Sequence, residues 1–219
     1  MRQVLTDLRE TRTDSPFPGL TTHAYLWTAR NALFYSPATE ADFPEIEKLG
    51  GISDQYLSHR DEAGPMLKAI AQQFDSVLHA PAAELQDINQ HAHVDVPLDS
   101  RYTDANGVEV IPTPGHSPGS TCYRVHGAEG TYLFTGDTLI RNTEGLWWAG
   151  YIEGISDADA LAESLRLLAE LEPDVVISSA FQGDTDDAGV HRIKPGDWPN
   201  HVAHALDGLP SRAGNARRR

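Results

Sequence analysis

The chain alternates short apolar runs with polar breaks that carry glycine and proline, and the runs are of two kinds. Runs rich in β-branched and aromatic side chains predict strands. Residues 21–35, TTHAYLWTARNALFY, read as two strands joined by a turn at Ala29-Arg30-Asn31. Ile52–Ser58, Ser76–His79, Val108–Ile111, Ser120–Val125, Thr131–Phe134 and a final strand at Val175–Ser178 follow the same pattern. Runs with helical spacing predict short helices at Ala41–Leu49 and Pro81–Ile88. Pro65–Phe74 predicts a longer one, with Met66, Leu67, Ile70 and Phe74 on one face and Pro65 in its first turn. Between Asp157 and Leu171 the stripe Leu161, Leu165, Leu168 and Leu171 predicts a core-facing helix. Ser156 is its expected N-cap, with Asp157 and Asp159 at the positive end of the dipole. From Gly183 the chain is loop-rich, with a short helix expected near 200–207.

This mixed order, with polar residues gathered at strand ends, indicates a layered α/β fold. Neither a repeat nor a linker interrupts it, so residues 1–219 are expected to form a single domain. The basic stretch RAGNARRR at 212–219 is expected to be a disordered, solvated tail.

Composition narrows the function. A formal net charge of −15 argues against a nucleic-acid partner, whose phosphates would be repelled. No run approaches the roughly 18 apolar residues of a membrane helix. The start MRQVLTDLRE lacks the apolar core of a secretion signal, so the expected location is cytoplasmic, away from membranes. Cys122 is the single cysteine, which excludes an intrachain disulfide and a thiolate-rich zinc cage. Any metal must then be held by imidazole and carboxylate.

The stretch TPGHSPGST, residues 113–121, sets His116 between two prolines and two glycines. The glycines permit a sharp backbone turn and the prolines remove freedom, so the imidazole is pre-positioned. Further on, Phe134-Thr135-Gly136-Asp137 ends another strand with a carboxylate. An imidazole and a carboxylate at two strand ends suit zinc or iron.

TPGHSPGST followed by LFTGDTL, with LSHRDE upstream and ELEPDVVIS downstream, resembles the metallo-β-lactamase superfamily over residues 20–183. The resemblance implies a four-layer αββα sandwich with a metal site along one edge of its paired sheets. It makes His116 a ligand and Asp137 a carboxylate that bridges two metals in dinuclear members.

The family's His-x-His-x-Asp-His loop is altered here to Leu57-Ser58-His59-Arg60-Asp61-Glu62-Ala63-Gly64. His59 takes the first or the second histidine position, depending on register. Either way an acidic residue follows it closely, and the Asp-His pair is missing. Where the family commonly has Gly-His-Gly near its end, this chain reads Ser179-Ala180-Phe181-Gln182-Gly183, and His191 is the nearest later histidine. These losses fall on the second metal. The implied ligands are His59, His116 and Asp137, with Asp61 a further ligand, for one tight zinc or, alternatively, iron.

By the same resemblance, Asp61 or Glu62 would orient a water or take its proton. The substrate would be a small ester, thioester or lactone. Iron would instead favour oxygen chemistry of the persulfide dioxygenase kind, and a fold relative without catalysis is a third reading. A homodimer is compatible with all three.

The remaining histidines have plainer readings. His91, His93 and Asp95 superficially resemble the missing signature but lie too close to His116, and read as a polar loop entering a strand. His79 reads as a hydrogen-bonded core or edge residue, and His23, His126, His201 and His204 as surface or packing residues. Trp147, Trp148 and Tyr151 could wall a substrate pocket, pack in the core or meet a second copy.

Overall fold

A computed structural model describes residues 1–183 and 189–210. The expected tail at 212–219 lies outside them. Three sheets organise these residues. The first has the order β1 (Arg2–Leu5), β2 (Leu8–Glu10), β5 (Tyr25–Trp27), β6 (Ala32–Phe34), β7 (Asp54–Tyr56), β8 (Val77–Pro81) and β9 (Val96–Leu98). The second runs β10 (Tyr102–Thr103), β11 (Glu109–Pro112), β12 (Thr121–Gly127), β13 (Gly130–Gly136), β16 (Val175–Ser178) and β18 (Val190–Arg192). The third is β15 (Trp147–Ala149), β14 (Leu139–Asn142), β17 (Ala180–Gln182), β4 (Leu20–Thr22) and β3 (Asp14–Phe17). The main helices are α1 (Phe43–Lys48), α2 (Pro65–Phe74), α3 (Leu85–Ile88), α4 (Ala158–Ala169) and α5 (Trp198–Asp207).

Strand periodicity explains the layering. On β12 and β13, Tyr123, Val125, Tyr132 and Phe134 face one way and pack with Leu26, Phe34 and Tyr56 of the first sheet. Their neighbours Cys122 and Leu133 face the other way, onto Leu161, Leu165 and Leu168 of α4 and Trp198 and Val202 of α5. Both faces of these strands are buried, which is why they read as continuous apolar runs. Leu67 of α2 and Ile88 of α3 pack with Leu78 and Ala80 of β8. The order is therefore helices, sheet, sheet, helices: the expected αββα sandwich.

Helix α2 occupies the expected residues, and Leu161, Leu165 and Leu168 form the buried stripe of α4. Two local expectations are corrected. The N-cap of α4 is Asp157, whose carboxylate accepts from the N–H groups of Asp159 and Ala160 at 3.0 Å each. Ser156 instead donates its hydroxyl to the carbonyl of His116 at 2.8 Å. Nor is Val175–Ser178 the last strand, since β17 and β18 follow it.

Strand direction delivers the chemistry to one edge. β11 and β13 both run antiparallel to β12 and hence parallel to each other, so the loops leaving them carry His116 and Asp137 to the same end. The link between the sheets at that end is direct: the Thr121 N–H donates to the Ser58 carbonyl at 2.9 Å, and the Tyr123 hydroxyl donates to the Leu57 carbonyl.

Candidate metal centre

The loop 113–121 is clamped onto the start of α4. The Gly115 carbonyl accepts the Asp157 N–H at 2.8 Å, and Ser164 donates to the Pro114 carbonyl at 2.7 Å. Gly115 has φ +136°, and a Cβ there would stand 2.3 Å from the backbone nitrogen of Leu161. Only glycine allows this approach. The rigidity signalled by the sequence is thus spent on fixing where His116 points.

Both histidines are held by their Nδ1 atoms. His116 is 4% exposed, and its Nδ1 lies 2.5 Å from the Gly150 carbonyl. A carbonyl can only accept, so Nδ1 carries the proton and Nε2 presents a lone pair. His59 Nδ1 lies 2.9 Å from the Ser58 hydroxyl, which itself donates to Glu62 Oε1. With its one proton committed to Glu62, Ser58 must accept from His59, so Nε2 of His59 is again bare. Each Nε2 is buried without a hydrogen-bond partner. The two rings stand at 89° with centroids 4.8 Å apart.

Two carboxylates complete the cluster. Asp61 Oδ2 lies 3.9 Å from each Nε2, and Asp137 Oδ2 lies 3.5 Å from that of His59 and 4.0 Å from that of His116. The other oxygen of Asp137 accepts from the Ser179 hydroxyl. Burial opposes a proton on His59, but the carboxylates of Asp137, Glu62 and Asp61 outweigh it and raise the imidazole to about 9, so at neutral pH a cation bound here would take the place of a proton on Nε2. The potential here is strongly negative. Two bare imidazole nitrogens and two carboxylates in such a field match the donor set of a divalent cation, so these residues fit a metal. Ligand atoms of His59, Asp61 and His116 all lie within 4.8 Å of one another.

Glu62 stands behind this cluster. Its Oε2 accepts the Ser58 N–H at 2.8 Å, Oε1 accepts the Ser58 hydroxyl, and Oε1 is 3.4 Å from His59 Nδ1. It therefore orients His59 through Ser58. Gly136, at φ +52°, makes room for this relay: a Cβ there would lie 2.2 Å from Ser58 Oγ. Tyr35 fixes Gly136 in turn, accepting its N–H at 2.9 Å and donating to the Ile177 carbonyl at 2.8 Å.

Sequence reasoning missed two residues. Glu84, 2% exposed, accepts the Arg60 N–H at 2.7 Å and the Gly119 N–H at 3.1 Å, joining the two histidine-bearing loops. Its place in a short turn of 3-10 helix gave no signal. His23, set aside as packing, lines the same cavity as His59 and His116. Its Nδ1 is 2.9 Å from the Thr11 carbonyl, and its buried Nε2 has no partner. A histidine between two strand runs was the available hint.

The other candidates lie elsewhere. His191 pairs with Arg141 at 2.8 Å and packs against Trp147 and Phe181. His79 binds Asp54 at 2.8 Å and stacks on Tyr56, while His91 and His93 are exposed. Trp147 is buried in the core beside α5 and Trp148 packs edge-on to His204, so the aromatic pair does not wall the cavity. Ile152 does. The cavity measures about 390 Å³, and Phe17 and Leu20 of the β3–β4 hairpin also line it.

A sequence model of the Metallo-beta-lactamase superfamily matches residues 55–180. A hydroxyacylglutathione hydrolase of Neisseria gonorrhoeae (strain NCCP11945) is 30% identical over 115 residues, covering 44% of this chain and 46% of that protein. The chain thus spans about half the length of the curated relatives it matches. Among solved structures, a metallo-β-lactamase from Pontibacter korlensis aligns with a TM-score of 0.69 at 14% identity, over 94% of this chain and 96% of that one. A Cronobacter sakazakii metallo-β-lactamase with a HARLDQ motif aligns at 0.66 and 15% identity, over 95% and 96% of the two chains. An archaeal superfamily protein from Sulfolobus tokodaii aligns at 0.56 and 16% identity, over 93% and 95%.

Proposed function

The chain belongs to the metallo-β-lactamase superfamily, and from that premise we propose that it is a hydrolase working at one tightly held metal, zinc in the first instance. His59, His116, Asp61 and Asp137 would hold the ion. When bound, such an ion lowers the pKa of a coordinated water toward neutrality and polarises an acyl carbonyl.

The chain's own residues do the rest. Ser58 and the Gly150 carbonyl hold the two imidazoles in the tautomer that bares Nε2. Glu62 steadies Ser58 from behind. Asp61 is the solvent-facing member of the cluster, its side chain 59% exposed. It is placed to accept a proton from an attacking water and return it to the leaving group. The water oxygen bonds to the acyl carbon, the bond to the leaving oxygen or sulfur breaks, and the leaving group departs as alcohol or thiol. The gonococcal relative's name points to a thioester among the ester, thioester and lactone classes.

The observation that carries this reading is the pair of buried, unpartnered Nε2 atoms beside two carboxylates. The test is His116→Ala, with metal content measured on protein purified without added metal. Loss of the ion with an unchanged far-UV circular dichroism spectrum is expected. Full metal retention would overturn the ligand assignment, and a native load of iron would turn the reading toward oxygen chemistry.

A further inference from the structure

Building on the hydrolase reading, we propose that the cavity selects neutral substrates with an apolar acyl group and discriminates against anionic ones. The wall carries four carboxylates, those of Asp14, Asp61, Glu62 and Asp137. Among the described residues that line it there is neither lysine nor arginine. One divalent cation would offset only half of that negative charge. A substrate bringing its own carboxylate would meet net repulsion with no cationic side chain to receive it.

The same wall offers an apolar surface. Pro16, Phe17 and Leu20 of the hairpin line the cavity together with Met66 and Ile152. Phe17 is 66% exposed and Ile152 is 40% exposed, a larger share than most apolar side chains of this chain keep. An acyl chain laid against them would remove apolar surface from water. His23 adds an acceptor, because its Nδ1 proton is committed to the Thr11 carbonyl and Nε2 carries a lone pair. Cavity charge, apolar lining and acceptor agree on one substrate type. It differs from a glutathione thioester, which carries two carboxylates and one ammonium.

Paired thioesters with a common acyl group separate the possibilities: S-hexanoyl-N-acetylcysteamine, which is neutral, and S-hexanoylglutathione. With metal-loaded, full-length protein at low salt, kcat/KM for the neutral member should exceed that for the anionic one by about tenfold or more. The gap should narrow as added salt screens the carboxylates. Phe17→Ser should raise KM for the neutral thioester several-fold while leaving kcat and metal content unchanged. Equal or faster turnover of the glutathione thioester at low salt would overturn the proposal. If neither compound is hydrolysed, the thioester reading fails, and selectivity is then decided by calorimetry on the inert thioethers S-hexyl-N-acetylcysteamine and S-hexylglutathione. Tighter binding of the neutral thioether supports the proposal; equal or reversed affinity refutes it.

Discussion

Glu84 is the residue whose removal tests the architecture of the centre most directly. It touches neither imidazole, yet its carboxylate bridges the backbone next to His59 and the loop that carries His116, through Arg60 and Gly119. Hydrogen bonds to a charged partner contribute about 1.5–3 kcal/mol each. In Glu84→Ala both N–H groups lose their acceptor. Because the two bonds share one carboxylate, and water can enter the vacated space, the expected loss is about 2–4 kcal/mol rather than the full total. Glu84→Gln keeps one acceptor oxygen but turns an amide N–H₂ toward the other donor, so it should recover about half. Urea unfolding of the metal-free protein, followed by circular dichroism, measures both variants. Metal affinity should fall with stability, since the two loops would no longer be held in common register. A Glu84→Ala variant within about 0.5 kcal/mol of wild type would show that solvent satisfies those N–H groups and that the loops need no clamp.

Other outcomes follow from the same geometry. Titration with excess zinc should yield no second equivalent held at sub-micromolar affinity, because His191 is engaged with Arg141, packs against Phe181 and does not line the cavity. A clean two-site isotherm would refute this. Cys122 is fully buried, and burial raises its thiol to about 11, so the native protein at pH 8 should not react with a thiol reagent until it is unfolded. Rapid labelling under native conditions would contradict the packing of the α4 face of the second sheet.

Much of this was legible in the amino-acid order. Helix α2 and the leucine stripe of α4 announced themselves because both present one apolar face at the period of a helix. The loop around His116 was legible because proline and glycine control the backbone locally. What escaped depended on contacts between distant residues. The hairpin strands DSPF and LTT have little apolar periodicity, and the pairing of the second with β17 is settled by residues far along the chain. The value of His23 depends on Thr11, and that of Glu84 on Arg60 and Gly119. Asp157 displaced Ser156 as the cap because the serine hydroxyl was drawn to the His116 carbonyl.

The third sheet has a bearing on biosynthesis. Its order, β15-β14-β17-β4-β3, pairs the hairpin of residues 14–22 with a strand at 180–182. The wall that carries Phe17 and Leu20 therefore has nothing to lean on while the ribosome is still making the middle of the chain. Only when β17 has emerged can that wall dock and the site enclose a ligand. Nascent chains stalled before that point should leave the histidine loops open to bulk solvent, so enclosure of the site waits for the synthesis of β17.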